Sequence, residues 1–322
     1  MRILMWHVHG TWTNSFVRGD HEYLLPMTAA RDADGLGIRP PWTWPSNVQE
    51  VPVEDLRATE FDVVLLQRPH ELVLTELWTG RKPGRDVPAV YVEHNTPGGN
   101  VPYTRHPMAA QESIEVVQVT HFNDLMWDTD GARVSVIVDG VVDPGHLYTG
   151  ELPRQTVVVN DPIRRGRATG TDLLPRFCEA APVDVFGMGA DWLHGRLGVE
   201  ADQLVTYDLP QVQMHAEIAR RRVYIHPFRW TSLGLSLMEA MFIGMPIVCL
   251  NTTEAAESLH REDVFLSTSY EALVKASTRF LEDPDMARHY GERARAVAIR
   301  QFGIPRFVSE WDSLLARTIA GS

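Results

Sequence analysis

Cysteine is scarce in this chain, with only Cys178 and Cys249 among 322 residues. The two lie far apart, each in an apolar segment, which argues against a disulfide framework and predicts a cytoplasmic location. Long hydrophobic runs are also lacking, and no apolar stretch approaches the ~20 residues that a membrane-spanning helix needs. The N-terminal stretch MRILMWHVHGTW has too short an apolar run for a signal peptide and is predicted to be a first strand.

Basic residues are outnumbered, since 30 Lys and Arg face 42 Asp and Glu, for a net charge of −12. This balance argues against a nucleic-acid partner, although it does not exclude a local basic pocket for a phosphate. The hydrophobic content of 44% is enough for ordinary cores. A chain of this length suits two domains of about 150 residues each.

Short, continuous apolar runs recur along the chain, separated by helical or loop segments. Such runs are typical of strands buried on both faces of a parallel sheet, and their alternation with helices predicts α/β units. The fold class predicted is α/β, with two Rossmann-like doubly wound domains facing a cleft. The predicted strands are Ile3–Val8, Val63–Gln67, Ala89–Glu93, Val116–Thr120, Val134–Val138, Thr156–Asn160, Val183–Phe186, Leu204–Tyr207, Val223–His226 and Ile247–Leu250.

The domain boundary is predicted in the stretch DPGHLYTGELP, which is rich in Pro and Gly and has no periodicity. We therefore expect an N-terminal domain over residues 1–148 and a C-terminal domain over 149–304. A last amphipathic helix within 305–322 is predicted to pack back on the N-terminal domain. Part of Arg18–Pro52, with its RPPWTWPSN segment, is expected to be irregular.

The stretch RWTSLGLSLMEAMFIGMP holds one glutamate, Glu239, in an otherwise apolar predicted helix. Ser232, Ser236 and Glu239 fall on one helical stripe, and Gly244 with Pro246 predicts the helix end. The helix N-terminus offers backbone N–H groups to a phosphate, and a carboxylate two turns further on can accept two hydrogen bonds from a vicinal diol. The alternative is a solvent-facing polar stripe, and the periodicity alone does not decide between the two.

The segment HPFRWTSLGLSLMEAMFIGMPIVCLNTTEAAE resembles the donor-binding segment of retaining glycosyltransferases of the GT-B fold, and more closely the family that carries Glu-x7-Glu. The residues that match in register are Gly234, Glu239, Ala240, Met241, Gly244, Pro246 and Val248. The resemblance implies that Glu239 binds the ribose of a sugar nucleotide. It also implies that the loop residues Thr231, Ser232, Leu233 and Gly234 contact the donor.

The chain departs from this family at position 231, where Thr231 stands in place of the first glutamate. In the family that glutamate usually contacts the donor sugar, so Thr231 and Ser232 inherit the contact only as hydroxyl groups, which carry no charge. This substitution leaves donor identity and retention of configuration open.

The segment TVVVNDPIRRGRATGTDLLPRF resembles the first strand, loop and helix of the family's donor domain, where an Arg and a Lys bind the diphosphate. Arg164, Arg165 and Arg167 are the candidates here, and the sequence does not distinguish them; the alternative is a solvated basic loop. Gly187 follows the next strand and is implied to lie near the nucleotide, although a lone Gly-x-Gly is a weak signal.

The N-terminal half resembles the family by architecture more than by motif. Gly10 ends the first strand in a loop that in this fold reaches toward the phosphates, and His94 follows a buried strand where the family often has a histidine near the donor sugar. His94 is therefore the candidate catalytic residue, with a loop histidine of no catalytic role as the alternative. His121 follows the next strand at the same edge of the sheet.

His7 and His9 are two residues apart on the predicted first strand, so they share one face, and a metal there is geometrically feasible. No third ligand is evident nearby, so no metal site and no cofactor is predicted.

The function predicted by these features is transfer of a sugar from a nucleoside-diphosphate sugar to an acceptor (a small molecule, lipid or glycan), with retention and without a metal. Alternatives are a GT-B nucleotide-sugar epimerase and a non-catalytic sugar-nucleotide-binding protein. A nicotinamide-dependent dehydrogenase fits poorly, because HVHGTW follows the first strand where the glycine fingerprint is needed.

Overall fold

The computed structural model describes residues 1–40 and 42–321, and the chain divides into two compact units. The first unit comprises Met1–Val142 together with the C-terminal segment from Ile304, and the second comprises Asp143–Gly303. Ser322, the end of the predicted C-terminal segment, lies outside the described residues.

The second unit begins at Asp143, the first residue of the stretch in which the boundary was predicted, so residues 143–148 belong to the second unit and not to the first. The backbone N–H groups of Leu147 and Tyr148 both donate to the carbonyl of Ile243 at 3.1 Å. The Tyr148 hydroxyl donates to the carbonyl of Arg222 at 2.8 Å. These bonds attach the connecting segment to a helix and a strand of the second unit.

The first unit is built on a seven-stranded parallel sheet with the order β3-β2-β1-β4-β5-β6-β7. Its strands are β1 (Arg2–Met5), β2 (Glu22–Met27), β3 (Val48–Pro52), β4 (Val63–Leu66), β5 (Ala89–Glu93), β6 (Glu115–Gln118) and β7 (Val134–Val136). Its helices are α1 (Gly10–Phe16), α2 (Glu71–Thr79), α3 (His121–Met126) and the C-terminal α12 (Ile304–Ala320).

Strands β2 and β3 differ from the sequence-based expectation, which left Arg18–Pro52 without strands. Pro26 lacks a backbone N–H, yet it lies within β2, which is an internal strand. The register explains this, because β2 pairs with β1 only as far as Leu24 and Pro26 faces β3 alone.

Helix α12 packs in the first unit through a cluster of aromatic rings. Trp311 lies 5.8 Å from Trp12 and 5.1 Å from Phe16, measured between ring centroids. The Arg306 guanidinium donates to the carbonyls of Val138 and Asp139 at 2.7 and 3.0 Å. The unit is therefore completed by residues from the far end of the chain.

The second unit is built on a six-stranded parallel sheet with the order β10-β9-β8-β11-β12-β13. Its strands are β8 (Leu152–Val158), β9 (Val183–Phe186), β10 (Leu204–Tyr207), β11 (Arg221–His226), β12 (Ile247–Leu250) and β13 (Phe265–Ser267). Its helices are α4 (Pro162–Arg165), α5 (Leu174–Cys178), α6 (Leu193–Leu197), α7 (Gln211–Ile218), α8 (Leu235–Ile243), α9 (Ala255–Ser258), α10 (Tyr270–Glu282) and α11 (Pro284–Gln301).

The predicted fold class of two doubly wound α/β domains is confirmed, since each sheet grows outward in both directions from its first strand. The central strands are buried on both faces, as continuous apolar runs predict; every residue of β4 and of β12 is buried. In such sheets, ligands bind outside the carboxyl ends of the strands, where the strand order reverses. That point lies between β1 and β4 in the first unit and between β8 and β11 in the second.

Candidate functional site

The reversal point of the second unit is flanked by two loops that follow β8 and β11. The loop after β11 is held in place by hydrogen bonds to its backbone from two sides. The N–H groups of Arg229 and Trp230 donate to the carbonyl of Ala168 at 2.8 and 3.1 Å, and the Thr252 hydroxyl donates to the carbonyl of Phe228 at 2.7 Å. This loop leads directly into α8.

Helix α8 begins after Gly234, and within the described part of the chain no side chain caps its N-terminus. The first N–H groups of a helix have no intrahelical partner, and the aligned peptide dipoles favour an anion there. The helix ends at Gly244, which adopts the left-handed conformation with φ 90°. The predicted bounds of this helix and of the strand after it agree with the structure.

Glu239 lies on α8 and is only 4% exposed, so the alternative of a solvent-facing stripe is wrong for this residue. Gln211 Nε2 donates to Glu239 Oε1 at 2.7 Å, and His215 Nε2 lies 3.2 Å from Glu239 Oε2. Each carboxylate oxygen has two lone pairs, so both retain the capacity to accept a further bond from a ligand. The carboxylate is therefore oriented by a hydrogen bond from Gln211, while His215 lies close to it without a hydrogen bond.

Gln211 and His215 are residues that the sequence analysis did not single out. They lie four positions apart on α7, so they share one face of that helix. That spacing was visible in the sequence, but the contact with Glu239 depends on how α7 packs against α8. The sequence did offer one signal for these two residues, namely two polar side chains four positions apart on a short helix before β11.

The three candidate arginines after β8 differ in their surroundings. Arg164 is paired with Asp161 at 2.8 Å and Arg167 with Asp172 at 2.9 Å, and both side chains are mostly exposed. The side chain of Arg165 forms no ion pair or hydrogen bond with the described residues; its guanidinium lies 5.9 Å from the ring centroid of Phe228. Burial, followed by the charge of Arg164, lowers the pKa of Arg165. Arg165 is thus the arginine of the three that is available to an anion.

The other residues of the second unit predicted to bind the donor lie in the loops that follow β9 and β11. Gly187 follows β9 with φ 138°, and a Cβ there would lie 2.3 Å from the carbonyl oxygen of Val159, so only glycine fits. Thr231 is half-buried at the loop surface, whereas Ser232 and Leu233 are buried, at 9% and 5% exposure. Leu233 therefore belongs to the core by its side chain and offers a ligand only its backbone.

His94 follows β5 in the first unit, and its ring is held by Gln67. Gln67 Nε2 donates to the carbonyl of Trp6 at 2.7 Å, which leaves Oε1 of that amide to face His94 Nε2 at 3.0 Å. Because Oε1 only accepts, the proton of the neutral imidazole is on Nε2. Burial, followed by the nearby His9, holds the pKa of His94 well below its usual value.

Two other rings of the first unit lie close to the ring of His94. The ring of His9 lies 4.2 Å from that of His94, and the ring of Trp12 lies 5.0 Å from it. Gly10 is the first residue of α1, and a Cβ there would meet the Trp42 ring at 2.8 Å. His121 begins α3 and is exposed.

The expectation that His7 and His9 share one face of the first strand is wrong, because β1 ends at Met5. His7 Nδ1 instead bonds the carbonyl of Gly37 at 2.9 Å, away from His9 and its contact with His94. Among the residues that the structure describes, no three His, Cys, Asp or Glu side chains cluster as metal ligands.

Comparison with known proteins agrees with this geometry. Residues 193–297 match the family model described as "Glycosyl transferases group 1". An uncharacterized glycosyltransferase of Haemophilus influenzae is 28% identical over 97 residues, which are 29% of this chain and 27% of that protein. The match therefore spans about a quarter of that relative's length.

Solved structures of similar fold cover the whole chain. Sucrose-phosphate synthase of Thermosynechococcus elongatus superposes with a TM-score of 0.73 at 12% identity, over 100% of both chains. HepE of Anabaena in complex with UDP superposes with a TM-score of 0.67 at 14% identity, over 98% of this chain and 100% of that one. HepE has also been solved with UDP-glucose. The chain thus has a GT-B fold, and part of its second unit, residues 193–297, matches the glycosyltransferase group 1 model.

None of the helices in residues 1–40 and 42–321 combines the length and apolar character needed to cross a membrane.

Proposed function

We propose that this chain is a glycosyltransferase that moves a sugar from a nucleoside-diphosphate sugar to a small-molecule, lipid or glycan acceptor. The observation that carries the proposal is Glu239, a buried carboxylate oriented by a hydrogen bond from Gln211, on the helix whose uncapped N-terminus lies at the reversal point. A carboxylate in a fixed orientation is suited to the two hydroxyls of a ribose. The second unit is proposed as the donor side, and the first unit as the acceptor side.

The departing nucleoside diphosphate is proposed to be stabilised by Arg165 and by the N–H groups at the start of α8. Both lie beside the reversal point, and Arg165 has no carboxylate partner among the described residues that would compete with a phosphate. Preorganised donors of this kind stabilise developing negative charge without a metal ion. Thr231 and Ser232 are proposed to contact the donor sugar through hydroxyl groups, and transfer is proposed to proceed with retention.

A cytoplasmic location is proposed from the state of the cysteines. Cys178 and Cys249 are both free and buried, and burial raises the pKa of Cys178 to about 11. Buried, unpaired thiols are typical of proteins in reducing compartments.

The proposal is tested by a thermal-shift panel of UDP, GDP, ADP, dTDP and CDP, with and without Mg²⁺. A ligand present at 100 times its dissociation constant adds about 2.7 kcal/mol to the stability of the unit that binds it. We expect a shift with one base that does not require Mg²⁺, and turnover of the matching sugar nucleotide. A shift without turnover of any kind would identify a binding protein, and the absence of any shift would overturn the donor site itself.

Replacing Glu239 with glutamine is expected to weaken nucleoside-diphosphate binding by about 1.5–3 kcal/mol, because the ribose hydroxyls lose a charged acceptor. The shape of the side chain is kept, and isothermal titration calorimetry measures the change. The matched control is Glu292→Gln, the same chemical change at an exposed position of α11. Equal affinity of Glu239→Gln and the wild type would refute the ribose assignment.

Replacing His94 with alanine is expected to lower the transfer rate by at least about 100-fold, as loss of a group acting in proton transfer does. Donor affinity is expected to change far less, since the proposed donor residues lie in the other unit. Transfer kinetics and calorimetry on the same variant separate the two effects, with His121→Ala on the exposed start of α3 as the control. Equal losses in rate and in donor affinity would make His94 a binding residue.

A further inference from the structure

His226, the last residue of β11, is a buried polar side chain without a hydrogen bond. It is 4% exposed and pairs in register with Cys249 of β12. Neither ring nitrogen is hydrogen-bonded to any of the described residues, and Nδ1 is fully enclosed. Buried polar groups are normally paired, so an unpaired one calls for a specific reason.

The ring of His226 points its Cε1–Nε2 edge at the N-terminus of α8. A Cβ built on Gly234, the residue before α8, would lie 2.8 Å from Cε1 and 3.3 Å from Nε2 of His226. The backbone of Gly234 has φ −66° and ψ 123°, a conformation open to any residue. The glycine is therefore explained by the space it leaves at the ring edge and not by its backbone angles.

An aromatic ring and a cationic group lie near His226. The centroid of Phe228 lies 4.0 Å from that of His226, and the Arg165 guanidinium lies 5.9 Å from the Phe228 centroid. Burial, and to a lesser degree the charge of Arg165, lowers the pKa of His226 to about 3. The imidazole is therefore neutral near pH 7, with one N–H to donate and one lone pair.

We propose that His226 donates a hydrogen bond from Nε2, as a neutral imidazole, to a phosphate oxygen bound at the N-terminus of α8 beside Arg165. This inference rests on the proposed function, and the phosphate is part of the diphosphate of the sugar nucleotide. A second cation so close to Arg165 would be repelled by it when the site is empty. A neutral donor avoids that repulsion and still supplies a directed bond, as backbone N–H groups do in other phosphate sites.

Two substitutions of His226 separate the hydrogen bond from the packing of the ring. His226→Phe keeps a flat ring in the stack with Phe228 but has no N–H, and we expect about 10- to 100-fold weaker binding of the nucleoside diphosphate. His226→Gln places an amide N–H near the position of Nε2, and we expect affinity within a few-fold of the wild type. Calorimetry uses the full chain and the nucleoside diphosphate that the thermal-shift panel selects.

The matching nucleoside, which lacks phosphate, is the control ligand. Its competition constant is expected to be the same for the wild type and His226→Phe, because the bond is made to the phosphate alone. Equal weakening of nucleoside and diphosphate would mean that the ring is only structural and would overturn the inference. Equal diphosphate affinity of the wild type and His226→Phe would overturn it too, while the proposed function would stand.

The charge state of His226 is tested with the intact sugar nucleotide, whose diester phosphates do not titrate near neutrality. The change in affinity on His226→Phe is expected to be constant between pH 6 and pH 8. A change that grows steeply as the pH falls would show that His226 binds as a cation and would overturn the neutral-donor assignment. If the wild type binds none of the nucleotides, the proposed function itself fails.

Discussion

Replacing Asp184 with asparagine is expected to destabilise the second unit by roughly 3–5 kcal/mol, the usual cost of removing one partner from a buried ion pair. Asp184 on β9 is fully buried and accepts from Arg154 at 2.5 Å and from Arg221 at 2.7 Å. Arg221 is itself 4% exposed, and its guanidinium lies 5.1 Å from the ring centroid of Phe186. The amide would remove the buried counter-charge of Arg221, leave it only the partly exposed Glu217, and turn an N–H₂ group toward it.

The measurement has to resolve the second unit from the first. Seven of the nine tryptophans lie in the first unit, and only Trp192 and Trp230 lie in the second, so total fluorescence reports mainly on the first. Hydrogen exchange of the β8, β9 and β11 amides in urea reports on the second unit directly. Protection there is expected to fall in Asp184→Asn and to be unchanged in the strands of the first unit.

Glu217→Gln is the matched control for this network. Glu217 also pairs with Arg221, at 2.5 Å, but its side chain is 35% exposed, so water replaces much of what is lost. A loss of less than about 1 kcal/mol is expected for an ion pair of this exposure. Similar losses for Glu217→Gln and Asp184→Asn would show that burial does not set the strength of the network.

The elements whose signal is local in sequence were predictable. The central strands are continuous apolar runs, and α8 with its end at Gly244 and Pro246 follows from turn chemistry and periodicity. Strand β2 was not predicted; it contains Pro26, and a proline is tolerated in an internal strand only where it faces a neighbour that does not need its N–H. Whether Pro26 is tolerated therefore depends on how β2 pairs with its neighbours, which the local sequence of β2 does not show.

In the candidate site, too, some features are visible in the local sequence and others depend on contacts that the fold creates. Glu239 was identified from its position in a helix, but the side chains beside its carboxylate, Gln211 and His215, come from another helix. Arg164, Arg165 and Arg167 look alike in sequence, and they differ only in whether a carboxylate lies beside them. In the sequence, His226 is only the last residue of a predicted strand. The structure adds that the edge of its ring faces Gly234.

Among the buried carboxyl groups of the first unit, Asp139 lies in the segment that precedes the change of unit. Asp139 is 5% exposed and lies near Arg306 of α12 and the indole of Trp12. Burial raises its pKa to about 8; the charge of Arg306 and a weaker interaction with Trp12 oppose the rise. The carboxyl group is therefore mostly protonated in the native protein at pH 7.

The contribution of Asp139 to the stability of the first unit is expected to fall as the pH rises from about 4 to about 8, beside the separate contributions of Glu71 and of the buried histidines, whose pKa values are also shifted. Between its unfolded pKa of about 3.9 and its native pKa of about 8, the native state binds a proton that the unfolded state has lost. Stability then falls by about 1.4 kcal/mol for each pH unit and levels off above pH 8. Asp139→Asn, which is neutral at every pH, is expected to lack this slope.

Urea unfolding followed by tryptophan fluorescence, at intervals from pH 5 to pH 9, measures the effect in the unit that holds most of the tryptophans. The stability of Asp139→Asn relative to the wild type is expected to rise by roughly 4 kcal/mol between pH 5 and pH 8. Asp124→Asn, at an exposed position of α3, is expected to keep the slope of the wild type. A difference between Asp139→Asn and the wild type that stays constant over this range would mean that Asp139 is ionised in the native state. Arg306 would then be its counter-ion, and Arg306→Met would be more destabilising than Asp139→Asn.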